Sequence, residues 1–299
     1  MSADHAVDRA TGAFVAHRNL LFTVAYEMLG SAADAEDVLQ ETWLRWADVD
    51  LGQVRDQRAY LVRITTRQAL NRLRAMSRRK ESYVGPWLPE PLLTTPDVAQ
   101  DVELAESVSM AVMLVLETLS PTERAVFVLR EVFDIGYDEI AAAVGKSPAA
   151  VRQIAHRARH HVAARRPRTV VSQRRTRAVV ESFMRALEGG DLQGLLDVLA
   201  PDVVYMGDGG GVKHAALRPI LGAGKVARLL TRGLARNTVP IAFGPTVVNG
   251  GPALSVHLDG ELDSIVAAQV QDGRITGLYV VRNPEKLSRI TSQTPLTLR

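Results

Sequence analysis

Three prolines fall within six residues at Pro86, Pro89 and Pro91, in the run Gly85-Pro86-Trp87-Leu88-Pro89-Glu90-Pro91-Leu92. Each one fixes φ and removes a backbone donor, so this run cannot pass through the interior of a helix or a sheet. It reads as an extended or turned linker that divides the 299-residue chain. Its Trp and two Leu predict that it docks on a folded part. At ~150 residues per domain the length implies about two domains, or more if they are small.

Up to about Lys80 the apolar spacing is helical and proline is absent. Gly30 ends a first helix, and Ser31 with Asp34 starts a second, in which Ala35, Val38, Leu39, Thr42 and Trp46 share one face. Asp37, Gln40, Glu41 and Arg45 are left outside. A third helix from about Gln57 carries a basic stripe of Arg63, Arg67, Arg74 and Arg78, with Asn71 in register.

Helical spacing returns from about Val102 to Ala164. Ser120-Pro121-Thr122-Glu123 and Ser147-Pro148 are helix starts, and Tyr137 to Val144 is a short helix closed by Gly145. Short helix, tight turn and longer helix form a helix-turn-helix layout. In the longer helix Val151, Ile154, Ala155, Ala158 and Val162 form the inner face. Ala149, Arg152, Gln153, His156, Arg157 and His160 then point outward with Ser147 at the start, a face of base-edge and phosphate donors. No acidic residue lies between Glu139 and Glu181, where nine arginines accumulate, a charge distribution suited to a polyanion. His156 and His160 are spaced for a metal, but no Asp, Glu or Cys stands near to complete a site, so none is expected.

Beyond an Arg-rich join at Arg165 to Arg177, helices around Val179 to Leu199 and Gly224 to Ala235 frame a strand at Val203 to Met206. Strands at Ile241 to Phe243, Ala253 to Leu258, Ser264 to Val270 and Ile275 to Val281 follow, separated by Asn-Gly or Asp-Gly turns. Helices first and antiparallel strands after give an α+β domain. Gly222-Ala223-Gly224-Lys225 is not a phosphate loop, because Pro219 and Val226 occupy the positions that need Gly and Ser or Thr. The Gly run after Asp208 reads as a turn that lets another segment approach its backbone. Absence of Cys excludes disulfides, thiolate metal sites and thiol nucleophiles. No apolar run approaches ~18 residues and no signal pattern opens the chain, so the expected location is cytoplasmic.

The run Asp34-Ala35-Glu36-Asp37-Val38-Leu39-Gln40-Glu41-Thr42-Trp43-Leu44-Arg45 resembles the region-two helix of bacterial RNA polymerase sigma factors of the extracytoplasmic-function (ECF) group. Leu119-Ser120-Pro121-Thr122-Glu123-Arg124 before the helix-turn-helix resembles region four. Trp87 to Leu92, Asp208-Gly209-Gly210-Gly211 and Asn283-Pro284-Glu285-Lys286-Leu287 are similar to signatures of the ECF subgroup with a fused SnoaL-like domain, which usually has Asp where Glu285 stands.

The resemblance implies two all-α sigma domains followed by an α+β SnoaL-like cone. The expected boundaries are a region-two domain at 1–80, the linker at 81–107, a region-four domain at 108–166, a basic linker at 167–177 and the SnoaL-like domain at 178–299. It implies that Asp37, Gln40 and Glu41 dock on the clamp helices of RNA polymerase core and that Arg63, Arg67, Asn71, Arg74 and Arg78 lie along the melted minus-ten element. Ser147, Ala149, Arg152, Gln153, His156, Arg157 and His160 would read the minus-thirty-five element. Trp87, Pro89, Asp208, Gly209, Gly210, Gly211, Asn283, Pro284 and Lys286 would be regulatory, acting in cis in place of a separate anti-sigma factor. No membrane, metal, cofactor or catalysis is implied, and a small-molecule ligand in the cone is compatible with the fold. Tyr205, Asp208, His214, His257 and Asp259 are the acid–base candidates for a competing reading as a SnoaL-like enzyme with a DNA-binding arm. A one-component repressor is the second rival. Neither accounts for the Asp34 to Arg45 helix.

Overall fold

A computed structural model describes residues 3–94, 98, 101–165, 173–290 and 293–298. The chain forms two compact units. One comprises Met1–Glu81, Val115–Arg166 and Pro295–Arg299, and the other Ser82–Leu114 and Pro167–Thr294.

The first unit is helical. Helix α1 (Ala3–Leu29) ends at Gly30, whose φ of 69° is the left-handed conformation that glycine tolerates. Ser31 caps α2 (Ala32–Ala47), accepting from the Asp34 amide at 3.1 Å, and α2 buries Ala35, Val38, Leu39, Thr42 and Trp46 as its spacing predicts. Trp46 donates its indole N–H to the Ala10 carbonyl at 2.9 Å, so the buried ring ties α1 to α2 without an orphan donor. Helix α3 (Gln57–Glu81) completes a three-helix packing.

Helices α4 (Val102–Ser107) and α5 (Met110–Leu116), which up to Leu114 belong to the second unit, precede α6 (Pro121–Phe127) of the first, which opens on a reciprocal capping box between Ser120 and Glu123. One π turn (Val128–Val132) follows, then α7 (Tyr137–Val144), ended by Gly145 at φ 69°, and α8 (Pro148–Ala163), capped by Ser147. The buried face of α8 is Val151, Ile154, Ala155, Ala158 and Val162.

Arg124 of α6 is 1% exposed. Its guanidinium donates to the Glu27 carbonyl at 3.0 Å and to the Glu117 carboxylate at 2.6 Å, and Lys80 at the end of α3 reaches the same carboxylate. Burial opposes the Glu117 charge, but Arg124 and Lys80 outweigh it and hold the carboxyl below the usual range. These three charges fasten α6 to α1 and α3.

The second unit is built on a six-stranded sheet. Helices α9 (Gln173–Glu188) and α10 (Leu192–Val198) precede β1 (Leu199–Asp208); β2 (Ile220–Leu221) and α11 (Ala223–Ala235) come next. Strands β3 (Ile241–Val248), β4 (Gly251–Leu258), β5 (Glu261–Gln271) and β6 (Arg274–Val281), then α12 (Pro284–Leu287), complete it. The order is β2-β1-β6-β5-β4-β3. Three sequence expectations change here. The expected helix over Val179 to Leu199 is two helices, because Gly190 at φ 61° ends the first and Asp191 caps the second. Strand β1 begins at Leu199, and it pairs parallel with β6, so the sheet is mixed rather than wholly antiparallel.

Side chains alternate across this sheet. Leu254, Val266 and Val280 face α9 to α11 in one core. Their neighbours Ala253, Ile265, Ala267, Tyr279 and Val281 form a second core with Leu88, Met110 and Leu287. The proline-rich segment thus supplies Leu88 to the far face of the sheet, and it also protects an edge. Leu93 bridges Val248 at the end of the edge strand β3, and Thr94 donates to the Val247 carbonyl at 3.3 Å. The Arg-rich join falls partly at residues 166–172, outside the described residues; α9 carries Arg174, Arg175 and Arg177.

Removing Glu117 leaves a buried guanidinium without its carboxylate, so Glu117→Ala is expected to cost the helical unit about 3–5 kcal/mol in urea unfolding. Because the Glu117 carboxyl is depressed in the folded state, its contribution is complete above the unfolded value of about 4.3. It is lost as pH falls through the folded value. Glu117→Gln should therefore flatten the stability–pH profile below about pH 4.

Candidate nucleic-acid interface and linker seat

The outer face of α8 is exposed at Ala149, Arg152, Gln153, His156, Arg157 and His160. The buried alternate positions of the helix fix this orientation. Ser147 spends its hydroxyl on the cap, accepting from the Ala150 amide at 3.3 Å. Arg152 lies 5.7 Å from the Tyr137 ring centroid, and His156 and His160 bring their Nε2 atoms to 3.1 Å. Among the described residues no cluster of three or more His, Asp or Glu could hold a metal. Arg159 is held by Glu131 at 2.6 and 2.9 Å, which leaves the face just named as the donor surface.

The α3 stripe is in more varied surroundings. Asn71 and Arg74 are exposed; Arg63 is half-buried with its guanidinium 4.5 Å from the Tyr60 centroid. The Arg78 side chain lies outside the described residues. Arg67 donates to the Ala142 carbonyl at 2.7 Å and the Ala143 carbonyl at 3.4 Å. These are last-turn carbonyls of α7, where the helix dipole favours a cation. On α2, Asp37, Gln40 and Glu41 are exposed, and Asp37 pairs with Arg72 at 2.5 Å. Nothing in the sequence pattern pointed to Arg72 or to the α7 carbonyls, since both contacts join residues 35 or more positions apart.

In the second unit the three singled-out motifs converge. Asp208 is fully buried at the end of β1. Its carboxylate accepts from the Tyr83 hydroxyl at 2.6 Å, the Leu88 amide at 3.0 Å, the Gly210 amide at 3.0 Å and the Lys286 ammonium at 2.7 Å. Lys286 also donates to the Leu88 carbonyl, and its Nζ sits 3.4 Å from the Trp87 centroid, so the ammonium exchanges water for a carboxylate, a carbonyl and an aromatic face. Asn283 donates to the Tyr83 hydroxyl at 2.9 Å and caps α12 by accepting from the Glu285 amide. The capping donor is backbone and the Glu285 side chain is exposed, so the cap itself does not depend on the length of the acid.

The glycine run answers to close approach. A Cβ on Gly209 would lie 2.0 Å from the Lys213 carbonyl oxygen, and one on Gly210, at φ 64°, 2.5 Å from the Asn283 side chain. Trp87 is half-buried, Pro89 is buried and Pro284 is exposed.

Two residues of the seat escaped the sequence reading. Tyr83 stands just outside the proline run. Asn249, read only as a hairpin turn residue, accepts from the Leu92 amide at 3.0 Å and donates to the Val108 carbonyl at 2.8 Å, while its own amide donates to the Leu92 carbonyl. Its φ of 53° was the signal available, since Asn tolerates that conformation and leaves its side chain to bond elsewhere.

A cavity of about 800 Å³ opens between α11 and the sheet. Of the acid–base candidates, Tyr205 and His214 line it; Asp208, His257 and Asp259 do not. Burial pushes the Tyr205 hydroxyl upward. Among the described residues the one carboxylate in the lining, Asp263, is held by Arg282 and Lys213. Burial opposes its charge, yet these cations keep it below the usual range.

Comparison with known proteins covers all of these parts. The Sigma-70 region 2 family model matches residues 13–79 and the Sigma-70, region 4 model residues 109–162. The chain is 38% identical over 290 residues to the ECF RNA polymerase sigma factor SigJ of Mycobacterium tuberculosis, covering 92% of each chain. It is 30% identical over 289 residues to the probable ECF sigma factor SigI of the same species, covering 96% of this chain and 97% of the relative. The crystal structure of M. tuberculosis SigJ superposes with a TM-score of 0.75 at 34% identity, covering 93% of this chain and 98% of that one. Two helical sigma regions followed by a mixed-sheet domain, matched over more than nine tenths of the chain by these relatives, place the chain in the ECF RNA polymerase sigma factors.

Proposed function

We propose that this sigma factor is controlled in cis by its SnoaL-like domain through the Trp87 to Leu92 linker. Sigma membership supplies core binding and promoter-specific initiation; control by the C-terminal domain is the proposal. It is carried by one observation: the linker backbone at Leu88 and Leu92 is hydrogen-bonded to Asp208, Lys286 and Asn249 of the C-terminal domain. The segment joining the two promoter-reading regions is thereby a structural part of that domain.

In this reading the region-two domain spans 1–80 and the region-four domain 108–166, with 81–107 as the controlled linker, 167–177 as a basic join and 178–299 as the controlling domain. Asp37, Gln40 and Glu41 contact core polymerase. Arg63, Arg67, Asn71, Arg74 and Arg78 serve the minus-ten element, while the α8 face from Ser147 to His160 serves the minus-thirty-five element. Two elements read weakly through one tether gain from effective concentration, so tether geometry sets the joint affinity. Control within the chain dispenses with a separate anti-sigma factor, the protein catalyses nothing, and its place of action is the cytoplasm.

The test is run-off transcription with core polymerase. Lys286→Met removes the cation from the seat and should expose residues 82–94 to limited proteolysis. It should also change promoter output at least severalfold while core association persists; unchanged output with a released linker would overturn the cis reading. On the DNA side, Arg152→Ala or Gln153→Ala should cost about 1–3 kcal/mol against the cognate minus-thirty-five site and relax specificity there. Arg157→Ala should instead weaken all sequences alike and lower the salt slope by about one. Filter binding across a salt series separates the two.

A further inference from the structure

The cavity beside α11 has an apolar floor and a cationic rim. Phe183, Leu187, Leu278 and Val280 are buried in its lining, and Leu234 and Phe243 are half-buried there. Lys225, Arg228, Arg232 and Arg236 also line it and are exposed. Lys225, Arg228 and Arg232, spaced by three and four residues, lie along one side of α11, and Arg236, four residues on, caps its C-terminal end. Among the described residues none of these four has an ion-pair partner. Arg282 adds a fifth cation, and among the described residues Asp263 is the only carboxylate in the lining, so their formal excess is four positive charges around an apolar-floored volume of about 800 Å³. Such a volume accommodates a drug-sized molecule.

From this pairing we infer that the cavity binds a small amphipathic anion, its apolar body on the floor and its charged head among the α11 arginines. A neutral hydrophobe would leave the rim uncompensated, and a cation would be repelled by it. The site also adjoins the linker seat. Arg282 grips Asp263 inside the cavity at 2.9 and 3.0 Å, and its backbone amide donates to the Asp208 carbonyl at 2.7 Å. Asn283, the next residue, holds Tyr83. An anion that draws Arg282 from Asp263 therefore acts one peptide unit from the groups that hold the linker. This consequence rests on the cis reading above; the binding itself does not.

The experiment is calorimetric titration of the full chain with decanoate, decan-1-ol and decylamine. Decanoate is expected to bind one to one, at least tenfold tighter than the alcohol, with the amine weakest. The double variant Arg232→Gln/Arg236→Gln should shrink the acid-over-alcohol ratio below threefold while leaving the alcohol's affinity unchanged, which also shows that the cavity is still folded. Gly233 lines the cavity, and a Cβ there meets no atom within 4 Å, so Gly233→Trp should fill the mouth and abolish binding of both. Equal affinity for acid and alcohol, no binding of decanoate, or insensitivity to both variants overturns the inference. Displacement of decanoate by a short DNA duplex would overturn it too, by assigning the rim to nucleic acid. Core-polymerase association, measured on the same preparations, reports separately on the sigma reading: its loss would count against that reading and leave the binding result standing.

Discussion

A carboxylate with no solvent exposure at all, that of Asp208, organises the C-terminal unit. Taken out of water, such a charge is tolerable only with a counter-ion and a full set of donors. The four donors it has come from Tyr83, Leu88, Gly210 and Lys286, two from the linker, one from its own turn and one from the last helix. Satisfying one buried charge therefore fixes three segments distant in sequence. It also explains the residues around it. Asn283 fits only because Gly210 has no side chain, and the aromatic rings of Trp87 and Tyr83 cover the ammonium of Lys286. Replacing Lys286 leaves a buried carboxylate without its counter-ion, and replacing Asp208 leaves a buried ammonium without its carboxylate.

The helical unit is fastened by a comparable device at Arg124, Glu117 and Lys80, but the outcome differs. There the charges join helices whose outer faces stay available. The α8 face from Ala149 to His160 is exposed, and so are Gln40 and Glu41 on α2. Arg67 is the exception, since its guanidinium caps the α7 carbonyls. A residue assigned to the melted minus-ten strand is thus occupied by the helix-turn-helix of the same unit. Under the proposed minus-ten role, engagement of the strand by Arg67 and this packing would be alternatives, balanced by one charge-assisted contact.

What was legible in the sequence followed from short-range chemistry. The buried face of α8 agrees residue for residue with its apolar spacing, that of α2 agrees with Ala32 added, and the caps at Ser31, Ser120 and Ser147 form as read. The Gly run after Asp208 is a close-approach turn, as its composition implied. What was not legible depended on long-range pairing. The parallel partnership of β1 with β6 joins strands some seventy residues apart, which no local period reveals. Asn249 looked like any Asn-Gly turn, and its second role appears only once Leu92 and Val108 are beside it. Likewise Arg67 belongs to a basic stripe by spacing, while its hydrogen bonds are set by where α7 ends. The motif resemblance located the seat; the residues that complete it, Tyr83 and Asn249, lay outside the motifs.

The seat and the cavity share a strand end, and that bears on how a regulatory domain of this kind could work at all. A ligand shifts an equilibrium only by its differential affinity for the two states. For the linker to be held or released by an occupant of the cavity, some group must contact the occupant and change the seat. Arg282 meets this requirement by position: its side chain lies in the cavity with Asp263, its amide is bonded to the Asp208 carbonyl, and Asn283 follows it. Asp263 and an anionic head group would compete for one guanidinium, so occupancy would alter the constraint on residue 282 without any wider rearrangement of the sheet. The strand β6 ends at Val281 and is paired on both edges, so Arg282 leaves a strand that is held on both sides and leads directly into the segment that carries Asn283 and Lys286.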